Sequence, residues 1–282
     1  MDTMLTQEAV ARPKAGRSQD WGLRGASLLY LLLMIVIPIL VIVQDGFREG
    51  LGEFQRQIAL PAARHAILLT LWTSALMTVI NALAGLATAY VLVRYRFPGK
   101  SLLNALVDLP LSIPTLVTGV MLVILFGPQA SLGAFLDQRL GFQVIYAPPG
   151  IVLALLFVTF PFVVRTLQPV LMDLDREQED AAATLGASPW TIFRRVTFPA
   201  LALPWLGGSL LSFARAVGEF GSVVIVAGNI PLRSQTAAVY VWGAVESENR
   251  LGASAVSIAL LALAFVMMLI TSRLQRRWQR AG

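Results

Sequence analysis

The chain of 282 residues is 56% hydrophobic and 13% charged, and its mean hydropathy is +0.71. Soluble domains carry about 25% charged residues, so this composition excludes a solvated globular enzyme and a disordered chain. The net charge of +6 is better explained by the basic loops of a membrane protein than by nucleic-acid binding, and the lack of cysteine excludes thiolate metal sites and disulfides.

Six charge-free runs of 19 to 28 residues predict six membrane-spanning helices. About 20 apolar residues, each rising about 1.5 Å, cross about 30 Å of hydrocarbon. The predicted helices lie at about 24–44, 65–93, 102–126, 150–170, 200–227 and 252–274. The fold predicted for the chain is therefore an all-α integral membrane protein. It would have a polar arm at 1–23, a six-helix domain at 24–274 in contact with membrane lipid, and a basic tail at 275–282.

Lysine and arginine fall unevenly on the two sides of the predicted membrane. If the ends and loops alternate, one side holds 15 of the 22 basic residues and the other holds six, while Arg215 lies within a helix. Cytoplasmic loops collect Lys and Arg, so the side with 15, which includes both termini, is predicted to be cytoplasmic.

Residues 171–199, between the fourth and fifth predicted helices, carry helix signals of their own. Asp173 or Asp175 can cap a first short helix, three consecutive alanines favour it, and Gly186 ends it. Ser188, followed by proline, begins a second short helix that ends before the fifth membrane helix. The pattern alone fits either a connector between two membrane helices or a docking element for a partner protein.

The same segment resembles the EAA motif of permease subunits of binding-protein-dependent ABC importers. The resemblance rests on the pattern Asp180-Ala181-Ala182, three residues, Gly186, nine residues, Val196-Thr197-Phe198-Pro199. Asp for Glu, Val for Ile and Phe for Leu are mild departures, and Glu179 is a second candidate for the acidic position. Residues 90–115 and 213–231 are similar to the T-type permease of sulfate/thiosulfate importers, and the resemblance covers about 25–272.

The resemblance implies a type I ABC importer permease in a bacterial inner membrane. The 171–199 segment would then hold coupling helices that enter a groove of an ATPase subunit, through Glu179, Asp180, Ala181, Ala182, Gly186, Trp190 and Phe193. The implied partners are a second, related permease subunit in a heterodimer, two ATP-binding cassette subunits and an extracytoplasmic sulfate-binding protein. ATP and Mg would be used by the ATPase subunits, and this chain would bind no cofactor.

Two polar stripes at helical spacing lie within the predicted membrane helices. Their members are Asp108, Ser112, Thr115 and Gly119 on the third helix, and Ser212, Arg215, Glu219 and Ser222 on the fifth. A charge at the bilayer centre costs about 2.5–3.5 kcal/mol, so these charges need a compensating role. The stripes fit either hydrogen-bonded contacts between helices or the lining of a polar path, and Asp108 also fits an anchor at the membrane interface.

If the stripes line a path, they predict that sulfate crosses beside the third and fifth helices. Hydroxyl groups and the backbone amides freed near Pro110 and Pro114 would replace its hydration water. Arg215 would lower the barrier for the anion, and Glu219 would prevent it from being trapped. The chain would do no covalent chemistry.

Three alternatives stay open at this point. The substrate could be molybdate or another tetrahedral oxyanion. The chain could also be an ATP-independent channel, or an intramembrane enzyme, although no Ser/His, Cys/His or paired-Asp site lies within the predicted helices. Gly99-Lys100-Ser101 ends like a phosphate-binding loop, but Arg94 stands where that loop needs glycine, so ATP binding to this chain is not expected. With one histidine and no cysteine, no metal site is predicted.

Overall fold

The computed structural model describes the backbone of residues 17–278 and the side chains of residues 22–273. Within that part of the chain every regular element is a helix, which confirms the all-α fold. The chain divides between Asp45 and Gly46 into two compact units.

The described part of the first unit, residues 17–45, belongs to one apolar helix that ends at Gly46. This helix consists of α1 (Arg17–Leu31), a π-helical turn (Leu32–Val36) and α2 (Ile37–Gly46). Its stretch Gly22–Gly46 is long and apolar enough to cross a membrane, as predicted for 24–44. The helix begins earlier than expected, inside the predicted arm, and residues 1–16 of that arm lie outside the described residues.

The second unit contains the remaining helices. In chain order they are α3 (Leu51–Ala59), α4 (Pro61–Arg94), α5 (Lys100–Ser112), α6 (Thr115–Phe126), α7 (Ser131–Leu140), α8 (Pro148–Asp173), α9 (Arg176–Thr184), α10 (Pro189–Ile192), α11 (Phe198–Val217), α12 (Gly221–Ala227), α13 (Ala237–Glu246) and α14 (Arg250–Trp278). Residues 275–278 of the predicted tail continue α14, and the last four lie outside the described residues.

Helices α4, α8 and α11 form the centre of the bundle, because small residues let them approach closely. A Cβ added at Gly85 of α4 would lie 2.8 Å from Val163 of α8, and one added at Gly208 of α11 would lie 3.0 Å from Thr166 of α8. Close packing of this kind is the main attraction between helices in a membrane, where lipid is as apolar as the side chains. An apolar cluster that includes Leu167 fills the space between the three helices.

Five helices of the described chain are long and apolar enough to cross a membrane, and a bent pair makes a sixth candidate span. The five are Gly22–Gly46, Pro61–Arg94, Pro148–Asp173, Pro189–Val217 and Arg250–Arg273. These lengths agree with the prediction for helices one, two, four and six. The third and fifth helices differ from it.

The prediction of one helix at 102–126 is wrong, because α5 and α6 meet at an angle of 109°. Ile113 and Pro114 have extended backbones, with ψ of 129° and 133°. A proline disfavours the helical conformation of the residue before it and lacks an N–H, so the chain turns here. Pro110, in contrast, lies inside α5.

The prediction of one helix at 200–227 is also wrong, at both ends. α11 stops at Val217, and the residues 218–220 separate it from α12. On the other side, α10 runs through a π-helical turn (Phe193–Thr197) into α11, so Pro199 does not end a helix. In that turn the Phe198 amide donates to the Phe193 carbonyl, five residues back, and this wider turn accommodates the proline that follows.

Candidate functional site

The 171–199 segment forms the predicted first short helix, α9, but the predicted second one is not separate, because α10 continues through the π-helical turn into α11. The Asp175 carboxylate caps α9 by accepting from the Glu177 amide at 2.9 Å, and the Ser188 hydroxyl caps α10 by accepting from the Thr191 amide at 3.3 Å. Between them Gly186 has a φ of +83°, a left-handed conformation that glycine adopts without strain. The two helices and the turn are therefore specified by local interactions.

Glu179 holds this pair of helices to the rest of the bundle. Its Oε1 accepts from the Arg94 guanidinium of α4 at 2.9 Å and from the Thr197 hydroxyl at 2.7 Å. The Arg94 and Glu179 side chains are only 8% and 15% exposed. Asp180 is exposed to solvent. The two neighbouring acids thus have separate positions, one inside the protein and one on its surface.

Aromatic rings form the contact between α10 and the bundle. Phe193 packs edge-on against Tyr90 of α4, with ring centroids 5.5 Å apart, and lies 5.9 Å from Phe198. Trp190 stacks on Phe193 at 5.7 Å, yet the Trp190 residue is 68% exposed, and Leu185 is 89% exposed. The α9–α10 pair therefore presents two large apolar side chains, Leu185 and Trp190, to its surroundings.

The predicted docking residues divide according to this arrangement. Asp180, Ala181, Gly186 and Trp190 are exposed, Ala182 and Phe193 are half-buried, and Glu179 faces Arg94. Their role in docking stays a prediction.

Asp108 lies in an ion pair between α5 and α8. The Arg165 Nε donates to Asp108 Oδ1 at 2.6 Å, and its Nη2 pairs with Oδ2. Arg165 also donates to the side chain and the carbonyl of Asn104, and to Gln168. All five guanidinium N–H groups are therefore occupied within this contact.

Arg215 and Glu219 form the pair that their spacing allows, but not within one helix. Arg215 is near the end of α11 and Glu219 lies in the break before α12, with Nη2 and Oε2 at 2.7 Å. The Glu219 side chain is 1% exposed, and its Oε1 accepts from the Ser222 amide at 2.9 Å and from the Ser222 hydroxyl at 3.0 Å. Arg215 is 35% exposed.

The two broken helices pack against each other at glycines. A Cβ added at Gly119 of α6 would lie 2.7 Å from the Ser222 carbonyl oxygen and 2.8 Å from Ile225 Cβ. On α12, Gly221 lies against the Thr115 side chain, with no space for a side chain of its own. The structure therefore brings Thr115 against Gly221 and Gly119 against Ser222.

The remaining members of the stripes lie apart from this contact. Ser212 is fully buried, with its hydroxyl 3.5 Å from the Thr159 carbonyl oxygen and 3.7 Å from Met77 Sδ. Ser112 is exposed at the end of α5. Two continuous polar faces, as predicted, do not form, because both helices break within the stripes. Whether the individual residues meet substrate stays a prediction.

Three contacts were missed from the sequence. The Asn81 amide of α4 donates to the Thr159 hydroxyl at 3.0 Å and to the Leu156 carbonyl at 3.1 Å, deep between α4 and α8. A signal existed, since Asn81 is the one side-chain amide in the charge-free run 66–93. No such signal predicted the ion pair of Arg94 with Glu179 or that of Arg165 with Asp108.

Comparison with known proteins agrees with this architecture. A family model described as "Binding-protein-dependent transport system inner membrane component" matches residues 81–280, well over half of the chain. The chain belongs to this family. It is thus a multi-pass membrane protein of a transport-system family, as the resemblance predicted.

Relatives that are named as sulfate transport system permeases come from algae and bacteria. A protein of Nephroselmis olivacea named "Probable sulfate transport system permease protein cysT" is 42% identical, over 92% of this chain and 89% of its own length. CysT of Escherichia coli (strain K12) is 36% identical, over 91% of this chain and 92% of its own length. CysW of Synechococcus elongatus is 38% identical, over 91% of this chain and 89% of its own length. Similarity thus extends across both broken helices and the 171–199 segment.

Solved structures share the fold. A chain of a bacterial ABC transporter "involved in the import of the acidic polysaccharide alginate" aligns with a TM-score of 0.73 and 17% identity, over 92% of this chain and 96% of that one. A chain of an amino acid ABC transporter aligns with a TM-score of 0.52 over 79% and 94%. The fold of this chain is that of a type I ABC importer permease.

Proposed function

We propose that the chain is a non-catalytic permease subunit of an ATP-driven importer that moves sulfate, and thiosulfate, into the cytoplasm by alternating access. The structural observation that carries the proposal is the α9–α10 pair. Glu179 ties it to α4 from inside, while Asp180, Leu185 and Trp190 stand on its outer surface. An element that is anchored on one side and exposes apolar anchors beside an acidic group on the other is suited to transmit the movement of a partner.

The assignment of sulfate as the substrate rests on the relatives. They are named sulfate transport system permeases, and their similarity covers about nine-tenths of the chain. None of the relatives given above is named for molybdate. In the membrane, the Arg215 guanidinium is the group that meets the anion. Thr115 and the backbone at the two helix breaks supply groups that replace water, whereas the Ser222 hydroxyl is buried and donates to Glu219.

The remaining members of the stripes do not contact the anion at its central position in this proposal. Asp108, paired with Arg165, and the exposed Ser112 lie toward the end of the α5 span, where they accompany entry or release of the anion. Ser212 supports the path from the core, since it is buried.

The transporter would contain a second, related permease subunit, two ATP-binding cassette subunits that use ATP and Mg, and an extracytoplasmic sulfate-binding protein. Two kinds of relative, CysT and CysW, support a heterodimer. A similar fold occurs in an alginate transporter "in complex with alginate pentasaccharide-bound periplasmic protein", which supports the binding protein. The excess of Lys and Arg on one side supports an orientation with both termini and α9–α10 in the cytoplasm, and the family description supports the inner membrane of a bacterium.

The test is uptake of labelled sulfate by the purified complex in proteoliposomes. We expect uptake to require ATP and the binding protein, to be inhibited by excess thiosulfate and to be unaffected by excess molybdate. Inhibition by molybdate alone would reassign the substrate. Sulfate flux through the isolated chain without ATP would replace the importer with a channel.

A further inference from the structure

Glu219 is a buried carboxylate placed where the polypeptide leaves a membrane helix. Only 1% of its side chain is exposed, and three donors surround its two oxygens. Oε2 faces Arg215 on α11, while Oε1 accepts from the amide and the hydroxyl of Ser222 in the first turn of α12. The carboxylate therefore connects the two sides of the break and is shielded from solvent.

Arg215, in contrast to the buried Glu219, is partly exposed to solvent. Its guanidinium carries five N–H groups, and in the described part of the chain Glu219 is its one ion-pair partner. By comparison, every guanidinium N–H of Arg165 is occupied by protein groups. The partly exposed Arg215 thus keeps donors available for water or an anion, while one edge of its head is held by Glu219.

Two physical consequences follow for a passing anion. A long, flexible arginine side chain reaches many positions unless a partner restrains its head, and the buried Glu219 supplies that restraint. The negative charge of Glu219 also offsets the positive charge that the anion meets. A transport site must bind well enough to admit the ion and weakly enough to release it.

From this geometry we infer that Glu219 is a positioning residue for sulfate transport: it holds the Arg215 head in place, balances its charge, and fastens α12 to the end of α11. This inference rests on the proposed function. It assigns Glu219 a role that acts through Arg215, without contact to the anion.

The test is a double-mutant cycle in the reconstituted transporter, with KM and Vmax of ATP-driven sulfate uptake measured separately. Glu219→Gln keeps an acceptor for Ser222 but removes the charge. We expect it to lower KM by about threefold or more and Vmax by about tenfold, because the anion is bound more tightly and released more slowly. Arg215→Gln should raise KM. The double variant should match Arg215→Gln to within about twofold, because Glu219 has nothing left to position.

The control is Glu246→Gln, the same chemical change at an exposed carboxylate at the end of α13, which should transport like the wild type. Independent effects, with the double variant losing the product of the two single losses, would overturn the inference. So would unchanged KM and Vmax in Glu219→Gln. If wild-type protein fails to take up sulfate at all, the proposed function fails instead.

A second variant keeps the test decisive if Glu219→Gln does not assemble. Glu219→Asp retains the charge but shortens the side chain by one methylene, so that one carboxylate cannot reach both Arg215 and Ser222 as it does now. We expect a changed KM in an assembled complex. Wild-type KM and Vmax in Glu219→Asp would overturn the positioning role.

Discussion

Glu179 and Asp180 are neighbours in the chain but lie in opposite surroundings. Glu179 meets a guanidinium that is itself 8% exposed, whereas Asp180 is on the surface. A buried charge is tolerated only with a partner, so the pair of Glu179 with Arg94 is a structural requirement of this end of the bundle. Asp180 is left as the acid that a partner protein can reach.

Removing Glu179 should therefore destabilise the protein more than removing Asp180. Glu179→Ala leaves the Arg94 charge buried and unpaired, which costs about 3–5 kcal/mol. Asp180→Ala, at an exposed position, should change stability by less than about 0.5 kcal/mol. The midpoint of thermal unfolding of the purified protein in detergent measures the difference. Equal midpoints for the two variants would show that the ion pair contributes nothing.

Two interrupted helices distinguish this bundle from six straight spans. The α5–α6 pair turns by 109° at Pro114, and α11 and α12 are separated around Glu219. The resulting short helices pack on each other through Gly119 and Gly221. Irregular backbone at membrane depth is tolerated where it is covered by protein or lines a cavity, and we propose that the two interruptions belong to one functional region.

Adding one methyl group at Gly119 tests whether close packing between α6 and α12 is needed. In Gly119→Ala the new Cβ would lie 2.7 Å from the Ser222 carbonyl oxygen, so the helices must separate, at a cost of about 1–3 kcal/mol. We expect a lower unfolding midpoint and reduced sulfate uptake. Gly207→Ala on α11 is the matched control, because nothing lies within 4 Å of its added Cβ. If both alanine variants behave alike, tight packing at Gly119 is not needed.

In the second unit, the α9–α10 pair and the loop after α12 lie beyond opposite ends of α11. One end carries the α9–α10 pair, with the exposed Leu185 and Trp190. The loop after α12 carries another exposed apolar residue, Leu232, next to Arg233, whose guanidinium pairs with Gln143. The proposed orientation places the first surface in the cytoplasm with the ATPase subunits and the second outside.

This orientation is open to direct measurement because the chain has no cysteine. Single cysteines introduced as Leu185→Cys and Leu232→Cys are then the sole reactive thiols. A membrane-impermeant thiol reagent should label Leu232→Cys in intact cells, or in spheroplasts if an outer membrane is present. It should label Leu185→Cys only after the inner membrane is opened. The reverse pattern would invert the topology and remove α9–α10 from the cytoplasm.

Features that depend on a few neighbouring residues were predictable from the sequence. The hydrocarbon thickness sets the length of an apolar helix, so four of the spans agreed with their predicted ranges. The caps at Asp175 and Ser188 and the turn at Gly186 also act within about five residues. Their geometry does not depend on the rest of the fold.

The helix breaks and the ion pairs were decided by tertiary structure. Pro110, Pro161, Pro169 and Pro204 all lie inside helices, while the chain turns at Pro114, because neighbouring helices determine whether a freed carbonyl is satisfied. Arg94 meets Glu179 across 85 residues, and Arg165 meets Asp108 across 57. Periodicity along one helix places a residue on a face, but only the packing of helices decides what that face meets.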